Sequence, residues 1–119
     1  MPRIAFLLAA VLIVANGAFS ALAAELTFDL KVERGRVPDD MRLIRIKQGD
    51  VVKLRWTTDR PLTLHLHGYD IEKRVAPGTA TEMTFTARAT GRFPVHVHAQ
   101  GAGQAHEEAP LVNVEVYPR

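Results

Sequence analysis

The sequence predicts an all-β domain, an antiparallel sandwich of about seven short strands behind an N-terminal signal peptide. Three observations carry this reading. Apolar and polar residues alternate with a period of two along one segment after another, the pattern of strands with one buried face. Turn-forming residues separate these segments at short intervals. No convincing long amphipathic helix and no internal repeat interrupts the series.

The first segment lies outside the domain. Arg3 supplies a positive start, Ile4–Ala15 is an unbroken apolar run, and the chain then passes through Asn16-Gly17 to the small residues Ala21-Leu22-Ala23-Ala24. This is the layout of a secretory signal peptide. Ala21 and Ala23 suit cleavage before Ala24, with Ala24 as the last removed residue the alternative. The apolar run is shorter than the roughly 20 residues of a membrane span. Residues 1–23 are therefore expected to be the leader and residues 24–119 the mature domain, without a membrane span and periplasmic or secreted.

The mature segment opens with Leu26, Phe28, Leu30 and Val32 alternating with polar neighbours until Gly35 and Val37-Pro38-Asp39-Asp40 break the pattern. Leu43, Ile44 and Ile46 form a second strand, stopped at Gln48-Gly49-Asp50. Val52, Leu54 and Trp56 form the third, with Lys53 and Arg55 outward, and Asp59-Arg60-Pro61 ends it. Leu62, Leu64 and Leu66 alternate up to Gly68. After the Pro77-Gly78 turn, Thr81, Met83 and Phe85 resume a strand, and the threonines at 79, 81, 84 and 86 favour strand over helix there. Phe93, Val95 and Val97 follow Gly91, a loop spans residues 100–110, and Leu111, Val112, Val114 and Val116 close the series.

Composition narrows the function. The chain has 119 residues, 47% hydrophobic and 24% charged, which suits one folded domain. Cysteine is absent, which removes disulfides, iron–sulfur clusters, thiolate zinc sites, cysteine nucleophiles and a blue-copper thiolate. The net charge is +2 and no basic block occurs, so nucleic acid is not expected as a partner.

All five histidines lie in the second half: His65, His67, His96, His98 and His106. Four of them form two His-X-His units. Residues two apart on a strand share a face, so His65 and His67 project opposite to Leu62, Leu64 and Leu66. His96 and His98 likewise project opposite to Phe93, Val95 and Val97. If the two strands are neighbours, four imidazoles converge. An all-imidazole set suits Cu(II), with Zn(II) the alternative. His106 sits beside Glu107 and Glu108 in the loop as a candidate fifth ligand. Asp70 is a candidate to orient an imidazole or to stabilise its turn.

These elements resemble a known family. Ile44-Arg45-Ile46-Lys47-Gln48-Gly49-Asp50-Val51-Val52-Lys53-Leu54-Arg55-Trp56 resembles the strand–Gly-Asp–strand signature of cupredoxins. His65-Leu66-His67-Gly68 resembles the His-X-His-Gly element of multicopper oxidases. Gly91-Arg92-Phe93-Pro94-Val95-His96-Val97-His98 resembles that family's closing strand, which ends in His-Cys-His. The resemblance implies a cupredoxin-like antiparallel Greek-key sandwich. It also implies that His65, His67, His96 and His98 match outward copper-cluster ligands, while Val97 stands where the blue-copper cysteine would be. The usual axial methionine is missing too, since no Met follows Met83.

The leading expectation is thus an exported copper-binding protein for sequestration, delivery or tolerance, without blue-copper electron transfer. Its binding should weaken as pH falls through the histidine range. The alternatives are a metal-dependent enzyme, similar to multicopper oxidases or to copper–zinc superoxide dismutases, and a metal-free interaction module. A homo-oligomer bringing several histidine faces together and an exported partner protein are the remaining partner classes.

Overall fold

Eight strands form in the computed structural model, which describes residues 23–98 and 109–119. They are β1 (Glu25–Val32), β2 (Leu43–Lys47), β3 (Val51–Thr58), β4 (Leu62–Leu66), β5 (Ile71–Val75), β6 (Thr81–Thr86), β7 (Gly91–His98) and β8 (Val112–Tyr117). A single 3-10 turn, Asp39–Met41, follows Pro38. One sheet has the order β1-β3-β6 and the other β2-β8-β7-β4-β5. Among the described residues, no helix is long and apolar enough to cross a membrane. Residues 1–22 of the expected leader and His106 lie outside the described residues.

The alternating residues meet between the sheets. Leu30, Val52, Leu54, Trp56 and Met83 come from the smaller sheet, and Ile44, Leu64, Leu66, Val95, Val112 and Val114 from the larger. Trp56 is fully buried, as its place on the alternating third strand predicts. Removing a Val or Leu side chain from water contributes about 1.5–3 kcal/mol. This apolar layer therefore fixes which face of each strand turns inward.

The expected sandwich is present, with two differences in detail. It has eight strands rather than about seven. The additional strand, β5, has the burial sequence half-buried, exposed, exposed, exposed, buried over Ile-Glu-Lys-Arg-Val, so no alternation marks it. It lies at the edge of the larger sheet, where charged residues protect unpaired backbone groups. In addition, the sheets are not wholly antiparallel: β1 runs parallel to β3 and β2 parallel to β8. Alternation reports the buried face of a strand and carries no information about its neighbour's direction.

Candidate metal centre

The site lies on the outer face of the larger sheet, where β4 and β7 pair antiparallel. His65 stands opposite His96, and Thr63 opposite His98. On the reverse face Leu64, Leu66 and Val95 are fully buried. A shift of one residue in either strand would expose these apolar side chains and turn the imidazoles inward, so burial sets the register. His67 lies just beyond β4. Its backbone N–H donates to the Pro94 carbonyl at 3.0 Å, which carries the strand pairing one residue further and holds His67 beside the rest.

The ring contacts are mainly diagonal. The His65 and His67 centroids are 4.3 Å apart along the chain, His65 and His98 are 5.3 Å apart, and His67 and His96 are 4.8 Å apart. Diagonal neighbours across a strand pair lie within reach of such rings. One ligand nitrogen from each of His65, His67 and His98 falls within 4.8 Å of the other two. Imidazole nitrogens bind a transition metal at about 2.0 Å, so modest side-chain rotation would let these three reach one ion. His96 completes the patch next to His67, outside the three-nitrogen set. All four histidines of the two His-X-His units are thus brought together.

The chemistry of the set fits a metal. His65 Nδ1 is buried and finds no hydrogen-bond partner among the described residues. Such an orphan costs about 1–3 kcal/mol, and a coordinated cation would satisfy it. The His67 imidazole is held below its ordinary pKa. Desolvation is the main cause, and the neighbouring His65, His96 and His98 add to it, while Asp70 acts in the opposite direction. The uncharged ring, which is the ligand form, is therefore favoured.

The surroundings separate contributors from bystanders. Asp70 sits in the turn after Gly68 with φ at 51° and favours the charged form of His67. Glu72 on β5 stands opposite His65 on the same outer face, a placement that an unalternating segment did not signal. Further along that face, Glu115 is engaged by Arg92, Tyr117 and Arg45, which together hold its carboxyl below the usual range. Val97, in the position matching the family's cysteine, packs against the core. It lines a cavity of about 310 Å³ with Val37, Leu111, Arg36, Arg42 and Asp39, and among the described residues no imidazole joins that lining.

A contact between the two histidine motifs is also built in. Gly68, with φ at 87°, lies so close to Phe93 that a Cβ there would meet its ring carbons at 2.5 and 2.8 Å. Tyr69 then packs on Phe93 and Phe85, with centroids 4.9 and 4.7 Å away. The glycine ending one motif and the aromatic residue of the other thus clamp the turn that follows His67. The two residues were visible in the sequence, but their contact was not.

No family model matches the chain, and no curated protein matches it. Solved structures do. The fold is similar to that of a copper binding protein solved by NMR in its apo form, with a TM-score of 0.60 and 11% identity over 78% of this chain and 88% of that one. It is similar to the periplasmic domain of subunit II of cytochrome oxidase from Bradyrhizobium japonicum, with a TM-score of 0.62 and 18% identity over 80% and 86%. A multi-copper oxidase from Pseudomonas thermotolerans gives 0.61 and 22% identity over 82% of this chain, which spans only 30% of the oxidase. The chain therefore has a cupredoxin-like fold. Within that class it presents an outward imidazole patch and, with no cysteine in its sequence, no thiolate centre.

Two predictions follow from the geometry of the patch. Gly68→Ala should lose roughly 2–4 kcal/mol, combining left-handed backbone strain with overpacking against Phe93. Gly78→Ala, at φ 82° with open space around the added carbon, should lose only about 1–2 kcal/mol; equal losses in urea unfolding would contradict the Phe93 contact. In the metal-free protein, His67 should titrate below an ordinary histidine by NMR. Because its folded pKa is depressed, its contribution to stability is complete above about pH 6.5. That contribution is lost as pH falls from there through the lower folded value.

Proposed function

We propose that this chain is an exported copper-binding protein, periplasmic or secreted, that holds Cu(II) on imidazoles for sequestration, delivery or tolerance. The observation that carries the reading is the convergence of His65, His67 and His98, whose ligand nitrogens lie within 4.8 Å of one another. His96 adjoins them and His106 is the further candidate ligand. The His65 nitrogen, without a hydrogen-bond partner among the described residues, and the depressed His67 pKa, which favours the uncharged ligand form of that ring, add support.

Copper is preferred to zinc on two grounds. A nitrogen-only set binds Cu(II) more tightly than Zn(II) in the general order of divalent affinities. The copper binding protein and the copper-containing oxidases of similar fold point the same way. Blue-copper electron transfer is outside the proposal because the thiolate it needs has no source in this sequence. Export rests on the leader pattern and is supported by the periplasmic domain of similar fold.

Titration of the protein with Cu(II), followed by electron paramagnetic resonance, should give a saturable nitrogen-rich signal without a strong blue band. Replacing His65, His67 and His98 together by Ala should abolish it. His96→Ala should weaken binding by only about tenfold, or about 1.4 kcal/mol. Binding should weaken as pH falls through the histidine range. A triple variant that binds copper as tightly as the parent, or a parent that prefers zinc in direct competition, would overturn the proposal. The ratio of copper to chain, read with native mass, distinguishes a site within one chain from one shared between copies.

A further inference from the structure

A buried carboxylate lies outside the histidine set that the metal site would use. Asp50, in the turn between β2 and β3, is only 3% exposed. Its backbone is fully engaged: the N–H donates to the Lys47 carbonyl at 3.0 Å, and the carbonyl accepts from the Ala87 N–H at 2.8 Å. Its Oδ2 accepts the Lys47 N–H at 2.9 Å. Its Oδ1 is paired with the Arg119 guanidinium and also accepts the Ala24 N–H at 3.2 Å.

Ala24 is the residue at which the chain joins the sheet. Its carbonyl accepts the Val51 N–H at 2.9 Å, one step before Glu25 begins the parallel pairing of β1 with β3. Ala23 and Ala24 are nevertheless exposed, so the bond between them is accessible. The small residues Ala21 and Ala23 suit cleavage at that bond. The two candidate cleavage positions differ in their structural consequence. Removal through Ala24 deletes both the donor to Asp50 and the acceptor for Val51. Cleavage before Ala24 keeps both and places a new charge at the nitrogen already directed to Asp50.

We propose that the Ala23–Ala24 bond is the processing site and that the α-ammonium released there docks on the buried Asp50 carboxylate. The step is hydrolysis by a leader peptidase of the exporting cell. Water adds to the Ala23 carbonyl carbon and the C–N bond breaks. Ala23 leaves as a carboxylate, and the Ala24 nitrogen takes up the two protons to become an ammonium. The neutral donor to the Asp50 carboxylate is thereby replaced by a charged one, which adds an ion pair to a hydrogen bond whose acceptor is already charged. The mature N-terminus and Arg119 then share one carboxylate, clasping β1 and the segment two residues past β8 to the β2–β3 turn. Processing in this register completes the fold's own ion-pair network. The proposal rests on the export reading and is independent of copper.

The test uses the full chain produced in a Gram-negative host, with intact mass and N-terminal sequencing of the periplasmic extract. The expected product begins at Ala24. Converting the α-amine of that product selectively to an acetamide keeps an N–H but removes the charge. The thermal midpoint should then fall by about 4 °C or more. In Asp50→Asn the same modification should leave the midpoint nearly unchanged; if that variant does not fold, the acetylation result alone decides. An exported chain that begins elsewhere, or a midpoint insensitive to acetylation, overturns the proposal and leaves export standing. A chain recovered unprocessed overturns both.

Discussion

The pairing of β4 with β7 is the constraint on which the histidine patch depends. Neither His-X-His unit is a four-imidazole site alone, since each supplies two rings on one edge of one strand. Pairing sets His65 opposite His96 and brings His98 and His67 into the diagonal positions. What holds that register is on the other face, where Leu64, Leu66 and Val95 are withdrawn completely from water. Slippage by one residue would forfeit about 1.5–3 kcal/mol for each large apolar side chain exposed. It would also bury imidazoles without partners. The apolar core thus specifies ligand geometry that it never touches.

The same crowding has an electrostatic consequence. Desolvation, reinforced by the adjacent His65, His96 and His98, holds the His67 pKa below its ordinary value. In the metal-free fold the cluster holds at least one buried nitrogen, His65 Nδ1, lacking a partner among the described residues. Left alone, this is a local defect of about 1–3 kcal/mol, held in place by the surrounding sandwich. A lone pair that is costly to leave unmatched is what a transition-metal ion would satisfy.

Much of this was legible in the sequence because a period of two is a local signal. Seven strands, the buried Trp56 and the outward direction of all four histidines follow from alternation alone. Pairing is not local. Nothing in the residues of β1 and β3 states that they run parallel, and β5 was hidden because an edge strand with Glu72, Lys73 and Arg74 exposed has no alternation to read. The Pro94 carbonyl that holds His67 and the fit of Phe93 against Gly68 depend on the register between two distant segments. Asp50 reads in the sequence as one residue of a Gly-Asp turn. Only the fold reveals that it gathers donors from residues 24, 47 and 119.

A strand that separates its two faces also explains how the patch persists without a thiolate. On β7, His96 and His98 turn outward and Val95 and Val97 turn inward, so the residue between the two histidines contributes to a different layer of the molecule. Cysteine there would give a soft ligand inside the sandwich; valine gives an apolar side chain that packs against the core. Neither choice changes the face on which His96 and His98 stand, because that is determined by the alternation of Cβ directions along the strand. An inward electron-transfer centre and an outward imidazole site are therefore separable properties of this strand. The present sequence carries the histidines on the outer face of this strand and has no cysteine for the inner one.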